Sequence, residues 1–72
     1  MKRYLLKYDN LYLQYSMGEY YLIGKSEITQ FMFEIDVNAI LDVSPIIVEK
    51  YPDRIKLDKT DFEIIEFEIT EI

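Results

Sequence analysis

The start of the chain carries a period of two. Residues 2–8 are rich in Tyr and Leu, and over residues 11–16 Leu11, Leu13 and Tyr15 alternate with Tyr12, Gln14 and Ser16. Such a repeat sends alternate side chains to opposite faces of a pleated strand, so both segments are predicted as strands. Asp9-Asn10 between them tolerates the positive φ angles of a tight hairpin. Met17-Gly18-Glu19 reads as a second short turn, and Tyr20-Tyr21-Leu22-Ile23 as a third strand closed by Gly24. The pattern predicts an antiparallel three-strand meander over residues 1–24.

The middle of the chain admits two readings. Phe31, Phe33 and Ile35 continue a period of two, so Ile28–Ile35 reads either as a strand or as the approach to a helix. Phe33, Val37, Ile40, Leu41, Ser44, Val48 and Tyr51 recur at spacings of three and four, which marks one face of a helix. Pro45 interrupts that face, because proline inside a helix removes a hydrogen bond and clashes with the carbonyl of Leu41. At the first position of a helix it is tolerated, and Ser44 before it is a good N-cap. A helical region is therefore expected from about Asp36 to Tyr51, kinked or broken at Ser44-Pro45 and stopped by Pro52. Arg54–Leu57 reads as a short strand or loop, and Asp58-Lys59-Thr60-Asp61 as a turn. Phe62–Ile72 reads as a closing strand whose apolar phase changes at Ile64-Ile65. Either a bulge lies there or the register begins at Ile65, with Glu66 and Glu68 facing solvent. These elements predict an α+β fold in one domain, residues 1–72. A small antiparallel sheet, the meander plus the C-terminal strand, carries the helical region on one face.

Composition narrows the chemistry. The 72 residues include no Cys and no His, which excludes disulfides, the usual zinc ligands, a thiolate nucleophile and an imidazole base. Ser16, Ser26 and Ser44 lack a nucleophile elbow, and Gly18 and Gly24 do not make a phosphate-cradling loop. Fourteen acidic residues bring some carboxylates together by chance, but no pair is singled out. Asp58, Asp61 and Glu63 have the spacing of a fragment of a cation loop, without the central glycine or the twelve-residue pattern of a calcium hand. The expectation is a chain that is not an enzyme and holds no metal or cofactor. No apolar run approaches the roughly 18 residues of a membrane span. The apolar stretch after Met1-Lys2-Arg3 is too short for a signal peptide, so a cytoplasmic location is expected.

Charge and tyrosine shift attention to surfaces. Residues 1–25 hold four basic and two acidic residues, residues 26–72 four basic and twelve acidic, for a net charge of −6. Tyr4, Tyr8, Tyr12, Tyr15, Tyr20 and Tyr21 crowd the first part, interleaved with Lys2, Arg3 and Lys7. Tyrosines on a sheet beside cations can stack nucleobases, but a net negative chain repels phosphate, which argues against nucleic acid. Tyrosine is also enriched in protein interfaces, so Tyr12 and Tyr20 are candidate anchors for another protein. Asp58, Asp61, Glu63, Glu66, Glu68 and Glu71 form a candidate anionic row for a partner with a basic surface. The same glutamates also serve as solubilising residues that guard a sheet edge. Two alternatives stay open: a homo-oligomeric structural subunit joined through a sheet edge or tyrosine face, and a single-strand nucleic-acid binder using the N-terminal tyrosines.

Tyr4-Leu5-Leu6-Lys7-Tyr8 with Leu11-Tyr12-Leu13, then Glu49-Lys50-Tyr51-Pro52-Asp53, then Glu63-Ile64-Ile65-Glu66-Phe67-Glu68 resemble short proteins carried by phages and prophages of Gram-positive bacteria. The likeness spans most of the chain through generic motifs and brings no functional residues. Pro45 departs from the uninterrupted helix it implies. The resemblance implies a protein acting in the host cytoplasm that binds and blocks one host protein, in some cases by presenting carboxylates where nucleic-acid phosphates would sit.

Overall fold

The computed structural model describes residues 1–50 and 52–68. The meander forms as its periodicity dictates: β1 (Lys2–Tyr8), β2 (Leu11–Ser16) and β3 (Glu19–Ile23). Asp9 and Asn10 both take positive φ, 47° and 65°, as a two-residue type I′ hairpin requires. Met17 and Gly18, at 52° and 80°, make a second such turn, so β3 begins at Glu19. α1 (Glu34–Val43) is the one α-helix among the described residues; β4 (Ile46–Lys50), β5 (Asp53–Leu57) and β6 (Glu63–Glu68) follow it. The α+β architecture with a helix against one sheet is as the sequence predicts.

The sheet is larger and less uniform than expected. Its order is β5-β4-β3-β2-β1-β6, six strands rather than four. It is mixed: β3 and β4 run parallel, with Tyr20 opposite Val48, and every other pair is antiparallel. The parallel pair follows from where the helix sits, since α1 carries the chain from the end of β3 back to the start of β4.

Pro45 decides the fate of the second half of the expected helix. Ser44 just before it adopts φ −58°, ψ 147°, outside the helical region, and caps the helix by donating from Oγ to the Ile40 carbonyl at 3.0 Å. The chain then extends instead of resuming a helix. Ile46, Ile47 and Val48 are three successive β-branched residues, which favour a strand, and their burial alternates. The four-residue step from Ser44 to Val48 mimics helical spacing but spans a change of element. Tyr51, the expected helix stop, and the strand positions Ile69 to Ile72 lie outside the described residues.

The core lies between α1 and one sheet face. Leu6, Leu13, Met32, Val37, Ile40, Ile46, Val48 and Leu57 are buried together, with Tyr4, Tyr8, Tyr20, Leu22 and Phe62 packed around them. β6 runs in unbroken register along β1, from Lys2 opposite Glu68 to Lys7 opposite Glu63, so no bulge sits at Ile64-Ile65. The phase change instead serves both faces: Ile64 lies opposite Leu6 on the helix side, Ile65 opposite Leu5 on the other. Leu5 is fully buried on that second face.

One irregularity positions everything that follows. β1 and β2 are paired only near their hairpin, at Lys7–Tyr12 and Tyr8–Leu11, and then diverge. The segment before α1 takes the open place beside β1: Tyr4 and Met32 exchange two backbone hydrogen bonds, each 2.8 Å. This resolves the ambiguous stretch 28–35 as a one-residue strand contact followed by a helix that starts at Glu34. Gln14 joins the two branches of the fork. Its Nε2 donates to the carbonyls of Gln30 (2.9 Å) and Leu13 (3.0 Å), while its Oε1 accepts from the Gln30 N–H at 3.1 Å. The primary amide thus bonds like a stretch of strand backbone, which accounts for a buried polar side chain in so small a domain.

Candidate functional site

A groove of about 400 Å³ opens below this fork, between the Tyr15–Tyr20 end of the β2–β3 hairpin and the first two turns of α1. Gln14, Gln30, Phe31 and Met32 close it from the branch point; Asp36, Ala39 and Ile40 line it from the helix. Its volume is within the range of small-ligand and side-chain pockets.

Each wall has a local cause. Tyr15 and Tyr20 are opposite each other across the two-residue turn, and their rings meet edge to face at 5.0 Å and 60°. Tyr15 is half exposed, whereas burial, and secondarily Tyr15, raises the Tyr20 hydroxyl above its usual pKa. Phe31 is held at the branch by an edge-to-face contact with Phe67 of β6, at 5.3 Å and 73°. Asp36 sits in the first turn of α1, where its Oδ2 accepts from the Phe33 N–H at 3.0 Å. A carboxylate there satisfies an orphan helix donor and complements the positive end of the helix dipole. Among the residues lining the groove, Asp36 is the only one with a formal charge.

The acidic groups expected to act together are dispersed. Lys2 Nζ lies 3.2 Å from Glu66, and the Met1 amino group 2.8 Å from Glu68. The hydrogen bond and charge of the amino group hold the Glu68 carboxyl below its usual pKa, and those of Glu66 raise that of Lys2. Two glutamates of the anionic row are therefore neutralised by the chain's own N-terminal cations, because β6 pairs with β1. Asp58 and Asp61 cap a short 3₁₀ turn: Asp58 Oδ1 accepts from Lys59 N–H at 2.7 Å, and Asp61 Oδ2 from Asp58 N–H at 2.8 Å. Glu63 is exposed at the start of β6, and Glu71 lies outside the described residues. Arg3, a further cation of the basic first part, stacks over the Phe33 ring at 4.2 Å.

The tyrosines do not form one surface either. Tyr12 is opposite Ile23 and Tyr20 opposite Tyr15, and the odd separation of Tyr12 from Tyr15 puts Tyr12 and Tyr20 on opposite faces. Tyr4, Tyr8 and Tyr20 pack against the core. The sequence reading therefore placed Tyr20 in the site but missed Tyr15, Phe31 and Asp36. Tyr15 was reachable from the sequence, since a two-residue Met17-Gly18 turn forces it opposite Tyr20. Nothing in the sequence brings Phe31 or Asp36 to that place.

Negative charge also collects on α1. Glu34, Asp36 and Asp42 are exposed, and no basic residue occurs in the helix. Asp36 flanks the groove; Glu34 lines a second groove that also holds Lys2. Among the described residues no three His, Cys, Asp or Glu side chains cluster as a metal site, and no helix is long and apolar enough to cross a membrane. No family model, curated protein or solved structure matches the chain.

Proposed function

We propose that this domain is a non-enzymatic binding module that engages a basic surface of another protein through the exposed side of α1 and the adjacent aromatic groove. One observation carries this reading: the helix bears three exposed carboxylates and no cation, beside half-exposed aromatic side chains. Acidic groups and aromatic anchors side by side give long-range attraction together with desolvated contact area. The surface differs from the β6 row the sequence suggested, since Glu66 and Glu68 already have partners. The resemblance to phage proteins favours a host protein as the partner, with inhibition or modulation as the outcome.

The test is calorimetric titration against short peptides graded from acidic to basic. Affinity is expected to rise with positive charge, to fall with added salt, and to drop in Glu34→Lys/Asp42→Lys. Binding indifferent to both salt and the double substitution refutes the reading.

A homo-oligomer is favoured by a separate feature. The two edge strands of the described sheet offer opposite charges outside their ion pairs, Lys56 on β5 and Glu63 on β6. Pairing them head to tail would build an open chain of copies. Light scattering over a dilution series separates this from a monomeric module, which keeps one mass throughout.

A further inference from the structure

We infer that the groove between the Tyr15–Tyr20 pair and α1 is a pocket for a single cationic side chain, that of an arginine or lysine projecting from the partner protein. The inference rests on the proposed function and specifies the contact at its centre.

Three features of the groove converge on a cation. Its lining is aromatic and aliphatic: Tyr15, Tyr20, Phe31, Met32, Ala39 and Ile40. Aromatic faces attract cations through their quadrupole, and the attraction strengthens as water is excluded. The only formal charge in the lining is the Asp36 carboxylate. It bonds the Phe33 N–H through Oδ2, which fixes its position. An anionic guest would meet Asp36, with no lysine or arginine in the lining to receive it. An uncharged apolar guest would strip water from Asp36 without replacing it, at a desolvation cost that a cation avoids.

The helix dipole opposes a cation here. The N-terminus of α1 carries roughly half a positive charge, which disfavours a cation nearby. At the groove the Asp36 carboxylate in the first turn offsets it. A long side chain also suits the shape. Its methylene stem can lie on Met32 and Ile40 while the charged head reaches Asp36 and the rings. Gln14 contributes by holding Gln30 and so fixing the wall that bears Phe31.

The experiment uses a blocked pentapeptide of four glycines around a central arginine, its lysine counterpart, and a version with citrulline, the neutral isostere of arginine. Each is titrated into the whole chain while amide and aromatic chemical shifts are followed. The arginine or lysine peptide is expected to give saturable, weak binding, with shifts confined to Tyr15, Tyr20, Phe31 and Ala39. Citrulline is expected to bind about tenfold more weakly, as is the arginine peptide to Asp36→Asn, in line with loss of a partly desolvated cation contact. Equal binding of citrulline, unchanged affinity for Asp36→Asn, shifts mapping elsewhere, or no binding overturns the pocket. If longer basic peptides still bind in a salt-dependent way while the pentapeptides leave the groove untouched, the pocket fails and the broader binding function stands. Asp36→Asn keeps an oxygen that can accept from Phe33 N–H, and its circular dichroism and unfolding midpoint verify that the fold is retained.

Discussion

Gln14 is the residue whose replacement tests the architecture most directly. Its side-chain amide is buried and bridges the fork in the sheet through hydrogen bonds of 2.9 and 3.1 Å to Gln30. The orientation is fixed by chemistry, since a flipped amide would aim its NH₂ at an N–H and its oxygen at two carbonyls. Gln14→Ala removes both bonds to Gln30. Gln30 is exposed, so water can reach its freed backbone groups, and each bond counts at its net value of about 1 kcal/mol. With the lost packing of a buried side chain, the cost is about 2–3 kcal/mol. A domain of 72 residues has about 4–11 kcal/mol to lose, so the effect is large. Urea unfolding followed by circular dichroism should show a lower midpoint with an unchanged slope, and hydrogen exchange should accelerate at the Gln30 amide. Gln14→Glu sharpens the test. A carboxylate there would face the Gln30 and Leu13 carbonyl oxygens, so its folded-state pKa rises above the unfolded value of about 4.3. The variant is then most nearly native below that pH and loses stability as pH rises through the folded pKa. A cost below about 0.5 kcal/mol for Gln14→Ala, within ordinary surface effects, would falsify the stitching role, as would a pH-independent penalty for Gln14→Glu.

Other substitutions probe separate parts of the fold. Met17 is 95% exposed with φ 52°, a left-handed conformation that Asn adopts at less cost than Met, so Met17→Asn should stabilise the hairpin by about 0.5–1 kcal/mol in urea unfolding. Leu13→Ala empties a fully buried position at the centre of the sheet and should cost about 2–5 kcal/mol, enough to leave part of the population unfolded at room temperature by circular dichroism. The Glu68 carboxyl, held low by the Met1 amino group, should titrate below the usual glutamate range by NMR. Its contribution to stability is present above the unfolded pKa and disappears as pH falls through the folded one. Acetylating the amino group should move the Glu68 midpoint upward, and an unchanged midpoint contradicts the ion pair.

Local pattern was enough to determine the meander, because a two-residue side-chain period and two short turns are nearest-neighbour properties. Asp9-Asn10 and Met17-Gly18 set the registers, and with them the meeting of Tyr15 and Tyr20. Composition determined which chemistries are excluded, and Pro45 determined where the helix had to stop. The rest depended on partners distant in sequence. Ile46–Lys50 became a strand because β3 offered it a parallel ladder, and the residues alone match a helical face nearly as well. The contrast between a basic first part and an acidic remainder was partly offset on folding, because β6 lies against β1 and sets Glu66 and Glu68 beside Lys2 and the amino group. The groove was least visible of all. It exists because β1 and β2 diverge and residues 30–32 enter the gap, a packing outcome that brings Asp36 to Tyr15 and Tyr20 across some twenty residues of chain. Hydrophobic period fixes which face a side chain takes, whereas only closure of the tertiary structure fixes what that side chain meets there.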